Sequence, residues 1–153
     1  LIISFAWTTP ALVLAQKDTT RRDWKPRTIA AARKVMTAGE LVEAWSISPM
    51  YAGAGGAKVA DIRITEIIED EDSSTMSDDE WEREGFHVLE ALGAKIDGSS
   101  PLDVFRFWRL ENVQPQTVVR FELIRLTPKG EAERARLERM AIQPFALPPG
   151  WDK

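Results

Sequence analysis

The chain reads as an α+β protein: a small mixed sheet curled into a β-barrel, with short helices packed around it. Three observations lead there. Strand-like and helix-like stretches are interleaved, several strands are short, and no glycine-rich fingerprint follows the first strand. Together these disfavour a doubly wound parallel sheet. With 153 residues, 44% of them hydrophobic and 29% charged, one globular domain with a real core is expected.

Residues 1–5 are apolar and predict a buried strand. The run 1–7 is too short to span a bilayer, lacks a basic leader and meets Thr8, Thr9 and Pro10, so it reads as a strand rather than a signal peptide. Thr9-Pro10 has the chemistry of a helix start, with threonine at the cap and proline at the first helical position, and residues 11–15 fill that helix. A basic stretch follows as loop then strand, interrupted by Pro26. Residues 28–36 predict a second helix, stopped at Ala38-Gly39, and 41–47 a strand. Residues 48–57 hold Pro49, Gly53, Gly55 and Gly56 and predict a loop. A Gly-rich loop can cradle phosphate, but this one lacks the Lys-Ser/Thr ending of a P-loop.

Residues 58–68 alternate as a strand, and 69–74 are an acidic loop. Ser77 with Glu80 three residues later has the pattern of a capping box and predicts one helix to about Leu92, ended by Gly93. Its inward stripe is Trp81, Gly85, Val88, Leu89 and Leu92. Residues 95–99 predict a turn, 100–108 a short helix, and 117–126 the clearest strand. Thr127-Pro128 caps a last helix over 129–141, and the tail with Pro144, Pro148, Pro149 and Gly150 is irregular. The expected organisation is a single domain, 1–153, with its core in about 1–126 and a C-terminal helix and tail in 127–153.

Composition narrows the chemistry. There is no cysteine, which excludes disulfides and thiolate nucleophiles and favours a cytoplasmic location. One histidine makes a zinc site improbable, and no cofactor is expected. Net charge is −4, against tight sequence-blind DNA binding, yet Lys17, Arg21, Arg22, Lys25, Arg27, Arg33 and Lys34 cluster between positions 17 and 34. The acids gather between Glu66 and Glu84.

On a strand, Thr20, Arg22 and Trp24 share one face, while Thr19, Arg21 and Asp23 take the other and leave the site. Glu84 borders the apolar stripe of its helix beside Gly85, and a mid-helix glycine signals close packing. Each residue also has an ordinary reading: Lys17 at a helix end, Thr20 as a strand threonine, Arg22 as an ion-pair residue, Glu84 as a surface glutamate. His87 reads as structural.

The run Leu14-Ala15-Gln16-Lys17-Asp18-Thr19-Thr20-Arg21-Arg22 resembles the ASCH domain signature, in which Gly-x-Lys-x-x-Thr-x-Arg follows a short helix after the first strand. Ala38-Gly39-Glu40-Leu41-Val42 is similar to that family's turn into the next barrel strand. Glu84-Gly85-Phe86 is similar to the Glu-Gly-Phe of its acidic helix, and 118–124 to its closing strand. The likeness covers roughly 1–126. It implies a PUA-like β-barrel and a cleft for RNA or modified nucleosides. Some small bacterial members are amidohydrolases of acetylated cytidine, with lysine as proton acceptor, threonine as nucleophile and glutamate as proton donor; Lys17, Thr20 and Glu84 match them, and Arg22 matches the motif arginine. Two departures stand out: Gln16 is read as replacing the glycine before the lysine, and residues 48–57 and the C-terminal helix are additions.

Two functions are therefore expected from one cleft. In the first, Lys17, Arg22 and Lys25 hold phosphate or a base edge of RNA or a modified nucleoside, and Trp24 or Trp45 stacks on the base. In the second, Thr20 attacks an amide carbonyl with Lys17 as base and Glu84 as acid. A regulatory protein that uses its acidic helix to bind a partner is the third, weaker alternative.

Overall fold

Two long antiparallel strands carry the bend of the sheet. A computed structural model describes residues 1–47, 56–111 and 114–152 of the chain. Strand β4 (Lys58–Glu71) pairs with β5 (Gln116–Leu126), and their register shifts between Asp61 and Ile62, Ile64 and Glu66, and Ile68 and Glu71. Each shift inserts unpaired backbone on one strand, which bends it and increases its twist. The outer strands are short: β1 (Ile2–Ser4), β2 (Thr19–Arg22) and β3 (Val42–Trp45). The order is β1-β3-β4-β5-β2, with β1 and β3 parallel and the other neighbours antiparallel. The result is a five-stranded mixed sheet curled into a half-barrel. Its two edge strands are linked by a side chain rather than a ladder: Arg22 Nη2 on β2 donates to the Ser4 carbonyl on β1.

The helices are α1 (Thr9–Val13), α2 (Pro26–Ala38), α3 (Glu80–Arg83), α4 (Phe86–Ala91), α5 (Pro101–Leu110) and α6 (Pro128–Glu138). Pro26 starts α2 rather than interrupting the basic strand, because a proline at the first turn loses no helical hydrogen bond. Gly39 ends it with φ +67. The Ser100 and Thr127 side chains cap α5 and α6, accepting from Asp103 N and Gly130 N.

The expected single helix from Ser77 is two. Gly85 has φ +84, which no right-handed helix contains, so α3 ends at Arg83 with Glu84 as its C-cap, and α4 begins after the glycine. Nor does Ser77 cap: Asp79 holds that position without a side-chain bond. The stripe nevertheless faces inward, with Trp81, Val88 and Leu89 buried. The Gly-rich loop read over 48–57 lies outside the described residues for 48–55.

Two apolar clusters hold the chain together. The larger fills the curl of the sheet, with Ile3, Phe5, Leu12, Val42, Ile62, Ile64, Val119 and Phe121. The smaller is aromatic and lies under α3, α4 and α5, with Trp81, Phe86, Phe105 and Trp151. The C-terminal segment belongs to both, since Leu137 on α6 joins the first and Trp151 the second. Where α6 crosses β4, a Cβ on Gly130 would lie 2.1 Å from the Val59 carbonyl oxygen, so glycine permits that approach. Among the described residues no helix is long and apolar enough to cross a membrane.

Candidate functional site

The break at Gly85 positions the site. A Cβ there would lie 2.4 Å from Ala11 Cβ and 3.1 Å from Lys17 Cβ, so the α3–α4 junction sits directly against α1 and the segment after it. The backbone of that segment is pinned on both sides: Asp18 N donates to the Arg83 carbonyl, and Phe121 N donates to the Asp18 carbonyl. Ala15, which turns the chain out of α1, adopts φ +57. Lys17, on the segment before β2, is thereby laid against Glu84.

A cavity of about 210 Å³ opens at this junction. Lys17, Thr20, Arg22 and Glu84 all line it, with Arg21, Ser4, Phe5, Trp7 and Trp108 among the remaining walls. Lys17 Nζ lies 4.0 Å from Glu84 Oε2 and 5.4 Å from the centre of the Phe5 ring, and has no hydrogen-bond partner among the described residues. Glu84 Oε1 accepts from Arg21 Nη1 at 2.6 Å. Thr20 Oγ1 accepts from Arg22 Nε at 3.1 Å, which leaves its own proton available to a base or ligand.

The electrostatics follow from burial. Desolvation lowers the Lys17 ammonium from 10.5 to about 8, against the pull of Glu84 and with help from Arg22 and Arg21. Burial likewise pushes the Glu84 carboxyl up, although Lys17 and Arg21 draw it down. Burial also works against the charge of Arg22. Burial thus works against the charged form of each partner in the Lys17–Glu84 pair.

Behind the cavity, Glu80 accepts from Arg120 at 2.7 Å and from Arg21 at 3.3 Å. Arg120 also donates to Thr19 Oγ1 at 2.8 Å. This network fixes Arg21 and hence the far oxygen of Glu84.

Arg21, expected on the face away from the site, belongs to it. Thr20 and Arg21 do alternate, but β2 is an edge strand of four residues, and an arginine's charge sits far from its backbone. The guanidinium reaches Glu84 and joins the cavity wall.

Trp24, Lys25 and Trp45 are not among the cavity-lining residues. β2 ends at Arg22, so Trp24 leaves the strand's face and packs against the larger core. Lys25 precedes the first residue of α2 and is exposed. Trp45 donates from Nε1 to Glu43 on its own strand.

The indoles that do face the cavity, Trp7 and Trp108, were missed by sequence reasoning. Both pack on Phe86: Trp7 stacked with ring centres 5.8 Å apart, Trp108 tilted at 5.2 Å. Their only sequence signal is the Phe that follows Glu84-Gly85. Among the described residues no cluster of ligating side chains is arranged to hold a metal. Compared with known proteins, the chain matches no family model, no curated sequence and no solved structure.

Proposed function

We propose that the chain binds a modified nucleoside, or a single unpaired base of an RNA, in the cavity between β2 and the α3–α4 junction. One observation carries this reading: Lys17, Thr20 and Arg22 from one end of the chain and Glu84 from its middle line one cavity with Trp7 and Trp108. Drug-sized ligands occupy pockets of about 300–1,000 Å³. At about 210 Å³ this one suits a single ring system rather than an oligonucleotide. Indoles offer a stacking face worth about 1–3 kcal/mol per base, and Lys17 and Glu84 offer a donor and an acceptor to its edge.

The resemblance to ASCH domains supports the same reading, and with it a PUA-like assignment of the half-barrel. The motif's glycine falls at Ala15 rather than at Gln16. Gly-x-Lys counts two back from Lys17, to Ala15, and Ala15 holds the left-handed conformation for which glycine is suited. The turn is kept and the substitution strains it.

A second reading, amide hydrolysis, is favoured by the lowered pKa of Lys17. Neutral Lys17 would take the Thr20 hydroxyl proton as Oγ1 attacks an acyl carbon. Glu84 would then protonate the departing exocyclic amine, leaving an acyl ester on Thr20 for water to cleave. The grip of Arg21 on Glu84 favours its carboxylate form and therefore favours binding over turnover.

Calorimetric titration with cytidine, N4-acetylcytidine and short single-stranded RNA tests the first reading. Acetate release from N4-acetylcytidine, abolished by Lys17→Ala, would establish the second. Binding without release keeps the first alone, and neither binding nor release defeats both.

A further inference from the structure

The wall of this cavity carries more cations than anions. Lys17, Arg21 and Arg22 face it against the carboxylate of Glu84. Glu80 stands behind Arg21 but is itself matched by Arg120 at 2.7 Å. Two cationic donors are also unspent: Lys17 Nζ and Arg21 Nε are buried without a hydrogen-bond partner among the described residues. A buried donor without an acceptor is costly, more so when charged. Arg22 differs, because its guanidinium is already occupied by Thr20 Oγ1 and the Ser4 carbonyl.

We propose that the cavity is an oxyanion site, whose ligand carries a carboxylate or phosphate group held by Lys17 Nζ and the Arg21 guanidinium. This rests on the reading of the cavity as a ligand site and adds the charge of the ligand to it. A neutral base edge supplies acceptors but leaves the excess positive charge uncompensated. An oxyanion supplies both, and carboxylates and phosphates match the donor fork of arginine. The cavity's size admits such a group with one ring beside it.

The charged groups that act on Lys17 are Glu84, Arg22, Asp18 and Arg21. With burial they bring its ammonium to about 8. An anion beside that ammonium favours its protonated form, so binding weakens as pH rises past this value, by about tenfold per pH unit once Lys17 is neutral in the free protein.

The test is isothermal titration of the full chain at pH 7, 8 and 9 with sodium phosphate, sodium acetate, cytidine and cytidine monophosphate. Phosphate or acetate should bind and compete with cytidine monophosphate, and cytidine should bind at least tenfold more weakly than its monophosphate. The stronger of the two simple anions identifies the group as phosphoryl or carboxyl. Arg21→Met should weaken anion binding at least tenfold. If that variant does not fold, Arg21→Lys, which keeps the charge and loses the fork, should still weaken it several-fold. Cytidine bound as tightly as its monophosphate, with no competition from either anion, overturns the oxyanion site and leaves the nucleoside reading standing. No binding of any of the four removes both.

Discussion

The Arg21 guanidinium meets the Glu84 carboxylate at 2.6 Å, with the two side chains only 2% and 3% exposed. An ion pair so far from water is weak evidence of stability, but breaking it is expensive, because the surviving charge is left buried. Arg21→Met should therefore destabilise the fold by about 3–5 kcal/mol at neutral pH. Adding Glu84→Gln should recover part of that loss. Urea unfolding of the single and double variants measures both. A cost under about 1 kcal/mol for Arg21→Met would show that Glu84 is neutral at rest.

Gly85 is the hinge on which the site depends. Its φ of +84 and the 2.4 Å approach to Ala11 Cβ leave no room for a side chain. Gly85→Ala adds a left-handed penalty of about 1–2 kcal/mol to an overpacking cost of about 1–3 kcal/mol. The midpoint of chemical denaturation should fall accordingly, and the variant should lose ligand binding along with stability.

Ala15 makes the opposite prediction. Alanine to glycine usually destabilises, but this alanine is held at φ +57. Ala15→Gly relieves the strain and gives back some of it in chain entropy, for a net gain of about 0.5–1 kcal/mol. A measured loss would mean that the turn before Lys17 differs from the one described.

The pH dependence of stability has opposite signs at the two partners of Lys17–Glu84. Between about 8 and 10.5 the unfolded chain holds a proton that folded Lys17 has shed, so stability contributed by Lys17 rises with pH across that window. Glu84 has a raised carboxyl pKa, so its contribution is present below its ordinary 4.5 and is lost as pH climbs through the folded value. Unfolding free energies from pH 7.5 to 10.5 should rise in the wild type relative to Lys17→Met. Parallel curves would place the Lys17 ammonium in water.

Much of the architecture was legible in the sequence because local rules govern it. Proline and capping residues mark the starts of α5 and α6, and alternation marks β4. The curl of the sheet is carried by register shifts between β4 and β5, which no single strand announces. The helix across Gly85 was misread because apolar spacing continues through the break, while only tertiary contact with Ala11 and Lys17 demands the left-handed residue. For the site, Lys17, Thr20, Arg22 and Glu84 could be nominated from a short motif. Arg21 was lost to strand parity, which ignores the reach of a long side chain at a sheet edge. Trp7 and Trp108 were invisible because their place depends on how both lean on Phe86. Trp24 drew attention by its place beside Arg22, and the chain turns both it and Trp45 elsewhere.

A nucleoside ligand in the cavity lined by Lys17, Thr20, Arg21, Arg22 and Glu84 is the proposal on which the binding predictions rest. Its most direct test follows the backbone amide signals of Lys17, Thr20, Glu84 and Gly85 by NMR while cytidine monophosphate and N4-acetylcytidine are titrated in. Saturable shifts are expected at these four positions with either ligand, greatly weakened in Lys17→Met. Shifts confined to Trp24, Lys25 and Trp45, or none at all, would contradict it.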